Sequence, residues 1–165
     1  MKALALALLA SAASPAAAAV PACDETGSVA GWSVRAQVVG HGTPRWQVSR
    51  RADGISLVLA GMSGAAWADA RLEGAGDAEE AVADIADRRF RTERVGAGVF
   101  AIPGDAFAPA VAEGGRLAVT LRRGGAVSGR ASLALDGAAQ AMTAASDRAA
   151  QLIDEADYGR CRPVP

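Results

Sequence analysis

Trp32-Ser33-Val34-Arg35-Ala36-Gln37-Val38 decides the fold class of this chain. Its apolar side chains alternate with polar ones, so Trp32, Val34, Ala36 and Val38 share one face of an extended segment, the pattern of a half-buried strand. Working outward, Gly40-His41-Gly42-Thr43-Pro44 supplies turn residues, and Arg45 to Ser49 repeats the alternation with Trp46 and Val48. Ala52-Asp53-Gly54 then turns the chain into Ile55, Leu57 and Leu59. Three consecutive antiparallel strands are the economical reading.

Trp67 to Leu72 and Val99 to Ile102 are weaker strand candidates, whereas Arg116 to Arg123 is a clear one with Leu117, Val119 and Leu121 on one side. Gly124-Gly125 turns it into a strand from Val127 to Leu135. Short strands at this spacing predict a mainly β fold, a β-sandwich or barrel-like antiparallel sheet. Residues 77–88 fit two readings. Asp77 and Glu80 have capping-box spacing, and Ala78, Ala81, Val82 and Ile85 have helical spacing, so a helix is expected there with a strand as the alternative. A C-terminal helix is expected over about 137–157: Asp136 caps it, one stripe holds Ala138, Ala141, Met142, Ala145, Ala149, Leu152, Ile153 and Ala156, and Gly159 ends it. The small residues on that stripe suit close packing on a sheet.

Residues 1–19 read as a cleaved signal peptide. Lys2 gives a positive start, Ala3 to Ala10 an apolar stretch, Pro15 a break, and Ala17 to Ala19 the small residues a signal peptidase needs. The apolar run is too short for a membrane span, which takes roughly 20 residues. Removing the first 19 of 165 residues leaves 146, the size of one β-rich domain, 20–165. The expected location is therefore the periplasm, with the mature protein soluble.

The chain has 17 Lys and Arg against 18 Asp and Glu and a formal net charge of −1, which argues against a dedicated nucleic-acid binder. Its two cysteines, Cys23 and Cys161, stand near the two ends of the expected domain. In an oxidising compartment such a pair is most simply a structural disulfide. A bond enclosing 137 residues stabilises the fold by roughly 5 kcal/mol in the chain-entropy model. The rival, lipidation at Cys23, needs a Leu-like residue three positions earlier, where Val20 stands.

Trp32-Ser33-Val34, the middle strands, and Ser132-Leu133-Ala134-Leu135-Asp136-Gly137-Ala138-Ala139-Gln140-Ala141 together resemble the small proteobacterial periplasmic proteins of the invasion-associated locus B type. The likeness spans most of the mature chain and is most specific at its two ends. It departs from the family pattern at Ala36, where that family usually carries Cys, and by an extra residue between Leu133 and Gly137. The resemblance implies a β-rich envelope protein with no established enzymatic site, so no catalytic residue is carried over.

Chemistry-bearing motifs are scarce. His41 is the only histidine and falls in a turn, which removes histidine metal motifs and leaves a Ser-His-Asp triad without a Gly-x-Ser-x-Gly elbow. Gly96-x-Gly98-x-x-Ala101 has the letters of a nucleotide fingerprint, but a strand rather than a helix is expected after it. Asp154, Glu155 and Asp157 lack the glycine-bent spacing of a calcium loop. No cofactor and no metal site is expected. One cluster remains as a candidate binding surface: Arg88, Arg89, Arg91 and Arg94 around Phe90, interleaved with Asp84, Asp87 and Glu93, which are expected to pair with them. The functional expectation is a non-catalytic envelope protein that binds another protein or an envelope component. A small hydrolase or lyase acting on wall polymers with carboxylates alone is the alternative.

Overall fold

The computed structural model describes residues 23–39, 42–65 and 68–157. The expected signal peptide, His41, Trp67, Gly159 and Cys161 lie outside them. The chain runs β1 (Cys23–Val29), β2 (Trp32–Val39), β3 (Thr43–Ala52), β4 (Ile55–Met62), β5 (Asp69–Glu73), β6 (Glu80–Ile85), β7 (Arg88–Phe90), β8 (Glu93–Gly96), β9 (Val99–Ile102), α1 (Phe107–Ala112), β10 (Arg116–Arg123), β11 (Ala126–Ala134) and α2 (Ala138–Asp157). The fold is mainly β, with two antiparallel sheets in a sandwich-like arrangement and a C-terminal helix packed on them. The seven-stranded sheet has the order β1-β2-β3-β4-β5-β9-β8, and the four-stranded sheet the order β11-β10-β6-β7.

The expected strand face around Trp32 is present. Ala36 lies opposite Trp46, Val34 opposite Val48, Val48 opposite Leu59, and Leu57 opposite Leu72, so one apolar layer runs across the large sheet. Three hairpins turn at Ala30-Gly31, Asp53-Gly54 and Gly124-Gly125, where both central residues have positive φ. That is the type I′ geometry whose twist matches the flanking strands. β1 has no counterpart in the sequence reading: it is an edge strand with mostly exposed side chains, so it lacks a hydrophobic alternation to betray it.

The helix expected within 77–88 is not formed. Glu80–Ile85 is strand β6, which turns at Ala86-Asp87 into β7. Ala81, Ala83 and Ile85 are buried while Val82, which a helix would have placed on the same stripe, lies on the opposite side of the strand and is only half-buried. β6 is an interior strand whose partner β10 sets Leu117 opposite Ile85 and Val119 opposite Ala83. Long-range pairing thus overrides a local capping pattern. Asp77, expected as the cap, instead pairs with Arg123 on β10.

The C-terminal helix is present at the expected place. Ala138, Ala141, Ala145, Ala149 and Leu152 are at most 1% exposed and face β2 and β3. Alanines let the helix axis approach the sheet closely, leaving room for the indoles of Trp32 and Trp46. Asp136 serves through its main-chain carbonyl, which accepts from Trp32 Nε1 and Arg50 Nη1, both at 3.0 Å. α1, absent from the sequence reading, buries Phe107, Ala110 and Val111 in the same continuous core. Among the described residues no helix is long and apolar enough to cross a membrane.

Candidate binding surface

Arg88 to Gly96 crosses from one sheet to the other. β7 is the terminal strand of the four-stranded sheet and β8 the terminal strand of the seven-stranded one, with only Arg91 and Thr92 between them. Such a corner needs a fixed bend. Thr92 Oγ1 holds it by donating to the Ala81 carbonyl at 2.6 Å, and Phe90 anchors it by meeting Phe107 edge to face, ring centroids 4.9 Å apart. Phe90 is thereby half-buried rather than displayed as a free aromatic.

The four arginines divide into two kinds. Arg88 pairs with Glu113 at 2.5 Å, and Arg89 with Asp84 at 2.9 Å. The hydrogen bond and charge of Asp84 raise the Arg89 pKa above its ordinary value. Among the described residues, of the three acids expected to neutralise the cluster only Asp84 pairs with it, and Glu113, which the sequence reading did not include, is the second partner. Among the described residues Arg91 and Arg94 have no carboxylate partner, and the Arg94 guanidinium meets the Gly96 carbonyl through Nε at 3.4 Å. These two side chains and Arg89 line a groove of about 490 Å³ between β6 and the corner, floored by Phe90 and Phe100 and edged by Glu79 and Glu80.

A larger groove, about 660 Å³, lies on the other side of β8. Val58, Ala60 and Ala101 form its floor, Val95 stands 63% exposed at its margin, and Asp69, Arg71 and Asp105 are on its rim. Arg71 is engaged by Glu73 at 2.6 Å, whereas Asp69 and Asp105 have no ion-pair partner among the described residues. The sequence reading missed this groove. The usable signal was the second apolar face of β4, where Val58 is buried although it points away from Leu57 and Leu59.

Elsewhere, Arg148 on α2 reaches Glu25 on β1 at 2.6 Å and Glu155 at 2.8 Å, which answers for one of the three C-terminal acids. Those hydrogen bonds lower the Glu25 pKa and raise that of Arg148. Among the described residues no group of three or more His, Cys, Asp or Glu is placed to hold a metal ion. Gly96 and Gly98 flank a turn into strand β9, not a helix. Cys23 is buried with Sγ 3.6 Å from the Leu152 carbonyl oxygen, facing the last turns of α2. No protein-family model, curated protein or solved structure matches the chain.

Proposed function

We propose that this protein is an exported, non-catalytic component of the bacterial cell envelope that binds another protein or an envelope component through the Arg88–Arg94 corner. The observation that carries this reading is the pair Arg91 and Arg94, two guanidinium groups with no carboxylate partner among the described residues, beside a groove floored by Phe90 and Phe100 and edged by Glu79 and Glu80. An arginine left unpaired retains its forked donor set for an incoming carboxylate or phosphate. A corner held by Thr92 and Phe90 presents those donors without a cost for ordering the backbone. The test is affinity capture from envelope extract with the wild type and with a variant carrying Arg88, Arg89, Arg91 and Arg94 changed to Ser. A partner retained by the wild type and lost by the variant supports the reading, and equal capture by both removes it.

A second reading, a carboxylate-dependent hydrolase or lyase acting on wall polymers, draws on Asp69 and Asp105 at the rim of the larger groove. Release of soluble fragments from purified peptidoglycan, abolished by Asp69→Asn or Asp105→Asn, would replace binding by catalysis. Export and periplasmic location are tested by intact mass of the fractionated protein, expected to begin within three residues of Val20 and to carry no lipid.

A further inference from the structure

We infer that β1 is a self-association edge: two copies of this chain pair through antiparallel β1 strands centred on Thr26, joining their seven-stranded sheets into one. The inference is independent of the Arg88–Arg94 corner, whose strand β8 lies at the opposite end of that sheet.

The two sheets end in β1, β8, β11 and β7. A terminal strand leaves main-chain donors and acceptors open to another chain, and shortness or irregularity commonly blunts it. β7 has three residues, and β8 has four with a register break between Arg94 and Gly96. β11 has a break in its pairing with β10, and its Ser132 amide is already bonded to Asp53 at 3.1 Å. β1 carries none of these devices. It runs for seven residues in unbroken register with β2.

The hairpin fixes which of its groups stay open. Val29 and Trp32 flank the type I′ turn at Ala30-Gly31, so they form a hydrogen-bonded pair. Alternation from Val29 points the main-chain groups of Gly27, Glu25 and Cys23 at β2, and those of Ser28, Thr26 and Asp24 outward. Among the described residues no hydrogen bond from another element reaches these outward groups.

That outward row is complementary to itself. A two-fold axis at Thr26 sets Thr26 against Thr26 of the second copy and Asp24 against its Ser28, so each outward residue faces another. Between them Glu25 falls opposite Gly27, where a Cβ would meet nothing within 4 Å and the glutamate has room. A slip of two residues is the smallest that keeps outward groups face to face. In one direction it drives Glu25 against Glu25, and in the other it sets Asp24 against the turn residue Ala30, so the Thr26 register is the one favoured. The acids are already paired within each copy, Asp24 by Arg35 and Glu25 by Arg148, so joining two β1 strands brings no bare carboxylates together. α2 packs mainly over β2 and β3, which leaves the seam clear of the two helices.

A seam of one strand pair buries less surface than a standard stable interface, so the dimer is weak and concentration-dependent. Sedimentation velocity of the full mature protein over a wide concentration range is expected to show a monomer–dimer equilibrium. Amide exchange at Asp24, Thr26 and Ser28 is expected to slow as the concentration rises. The Thr26 amide points away from β2, so Thr26→Pro removes a seam donor and no bond within the copy, and it is expected to leave a monomer. Ser28→Asp keeps the main chain, sets an acid against Asp24 on both sides of the axis, and is expected to weaken the dimer at least about tenfold, whereas Ser28→Arg tightens it. Circular dichroism and denaturant midpoints confirm the fold of each variant. A wild type that stays monomeric throughout overturns the inference, as does a dimer unmoved by both Thr26→Pro and Ser28→Asp. Equal weakening by the two Ser28 variants overturns the Thr26-centred register. A dimer that survives denaturation without reductant is disulfide-linked and overturns strand pairing.

Discussion

Trp32 on β2 donates its indole N–H to the main-chain carbonyl of Asp136, 104 residues later in the chain, at 3.0 Å. The same oxygen accepts from Arg50 Nη1, and the Arg50 guanidinium lies 5.8 Å from the centre of the Trp32 ring. One carbonyl thus ties β2 and β3 to the turn from which α2 departs, and it sets where the helix starts on the sheet.

Because two donors share that oxygen, their removal is expected to be non-additive. Trp32→Phe keeps most of the buried area and costs about 1–2 kcal/mol, and Arg50→Ala alone costs less. The double variant leaves the Asp136 carbonyl without either donor and exceeds the sum of the two. Urea denaturation of the four proteins measures the coupling.

Gly137 follows directly. Its φ is +78°, and a Cβ there would lie 2.4 Å from the Ala30 Cβ. Gly137→Ala is expected to destabilise by about 2 kcal/mol or more, from the backbone conformation and the collision together. Ala30→Gly removes the collision partner and relieves a non-glycine residue at φ +50°, so the double variant recovers part of the loss. Thermal unfolding midpoints order the three variants.

The stripe of alanines on α2 is fitted to the sheet beneath it. Ala145 is fully buried, so Ala145→Leu pushes the helix off β2 and β3 at a cost of about 1–3 kcal/mol. Ala150→Leu, on the exposed side, is close to neutral. Denaturant midpoints with unchanged slopes would establish this contrast.

Acid should loosen the attachment of β1. Arg35 holds the Asp24 carboxyl, and Arg148 the Glu25 carboxyl, below their ordinary values of 3.8 and 4.5. A carboxyl whose pKa is lowered on folding contributes stability that is present above its unfolded pKa and lost as pH falls through its folded one. Stability from these pairs is therefore constant from neutral pH to about 5 and declines below about 4.5. Both pairs are partly exposed, so solvent screening limits each to about 1 kcal/mol. Arg148→Gln is expected to flatten the acid limb of a stability-against-pH curve, and an unchanged limb would show that Glu25 gains nothing from its partner.

The proposed bond between Cys23 and Cys161 would clamp β1 to the chain just beyond α2. Non-reducing peptide mapping is expected to recover one crosslinked pair, and Cys23→Ser to lower stability by a few kcal/mol, up to roughly 5. An alkylatable Cys161 in the folded protein overturns the pairing.

Several parts of the fold were legible because a local periodicity reports directly which face is buried. Trp32 to Val38 and Arg116 to Arg123 alternate, and Ala138 to Leu152 repeats at helical spacing, and each forms the element its period implies. Residues 77–88 were not legible in this way. Ala81 and Ile85 satisfy both periods, and only the pairing of β6 with β10 decides between them.

Sequence alone determined the strand-rich class, the hairpin turns and the terminal helix, because each depends on residues within a few positions of one another. It also marked Arg88 to Arg94 as a concentration of cations. Tertiary structure decided which of those cations are spent, since Glu113 reaches Arg88 from α1's end and Asp84 reaches Arg89 across a strand pair, leaving Arg91 and Arg94 without a carboxylate partner among the described residues. It also decided that Arg94 and Val95 face different grooves, whose walls come from strands far apart in the chain. Neighbourhood in a sheet follows strand order, and strand order is set by the burial of the whole core, which no local stretch of sequence encodes.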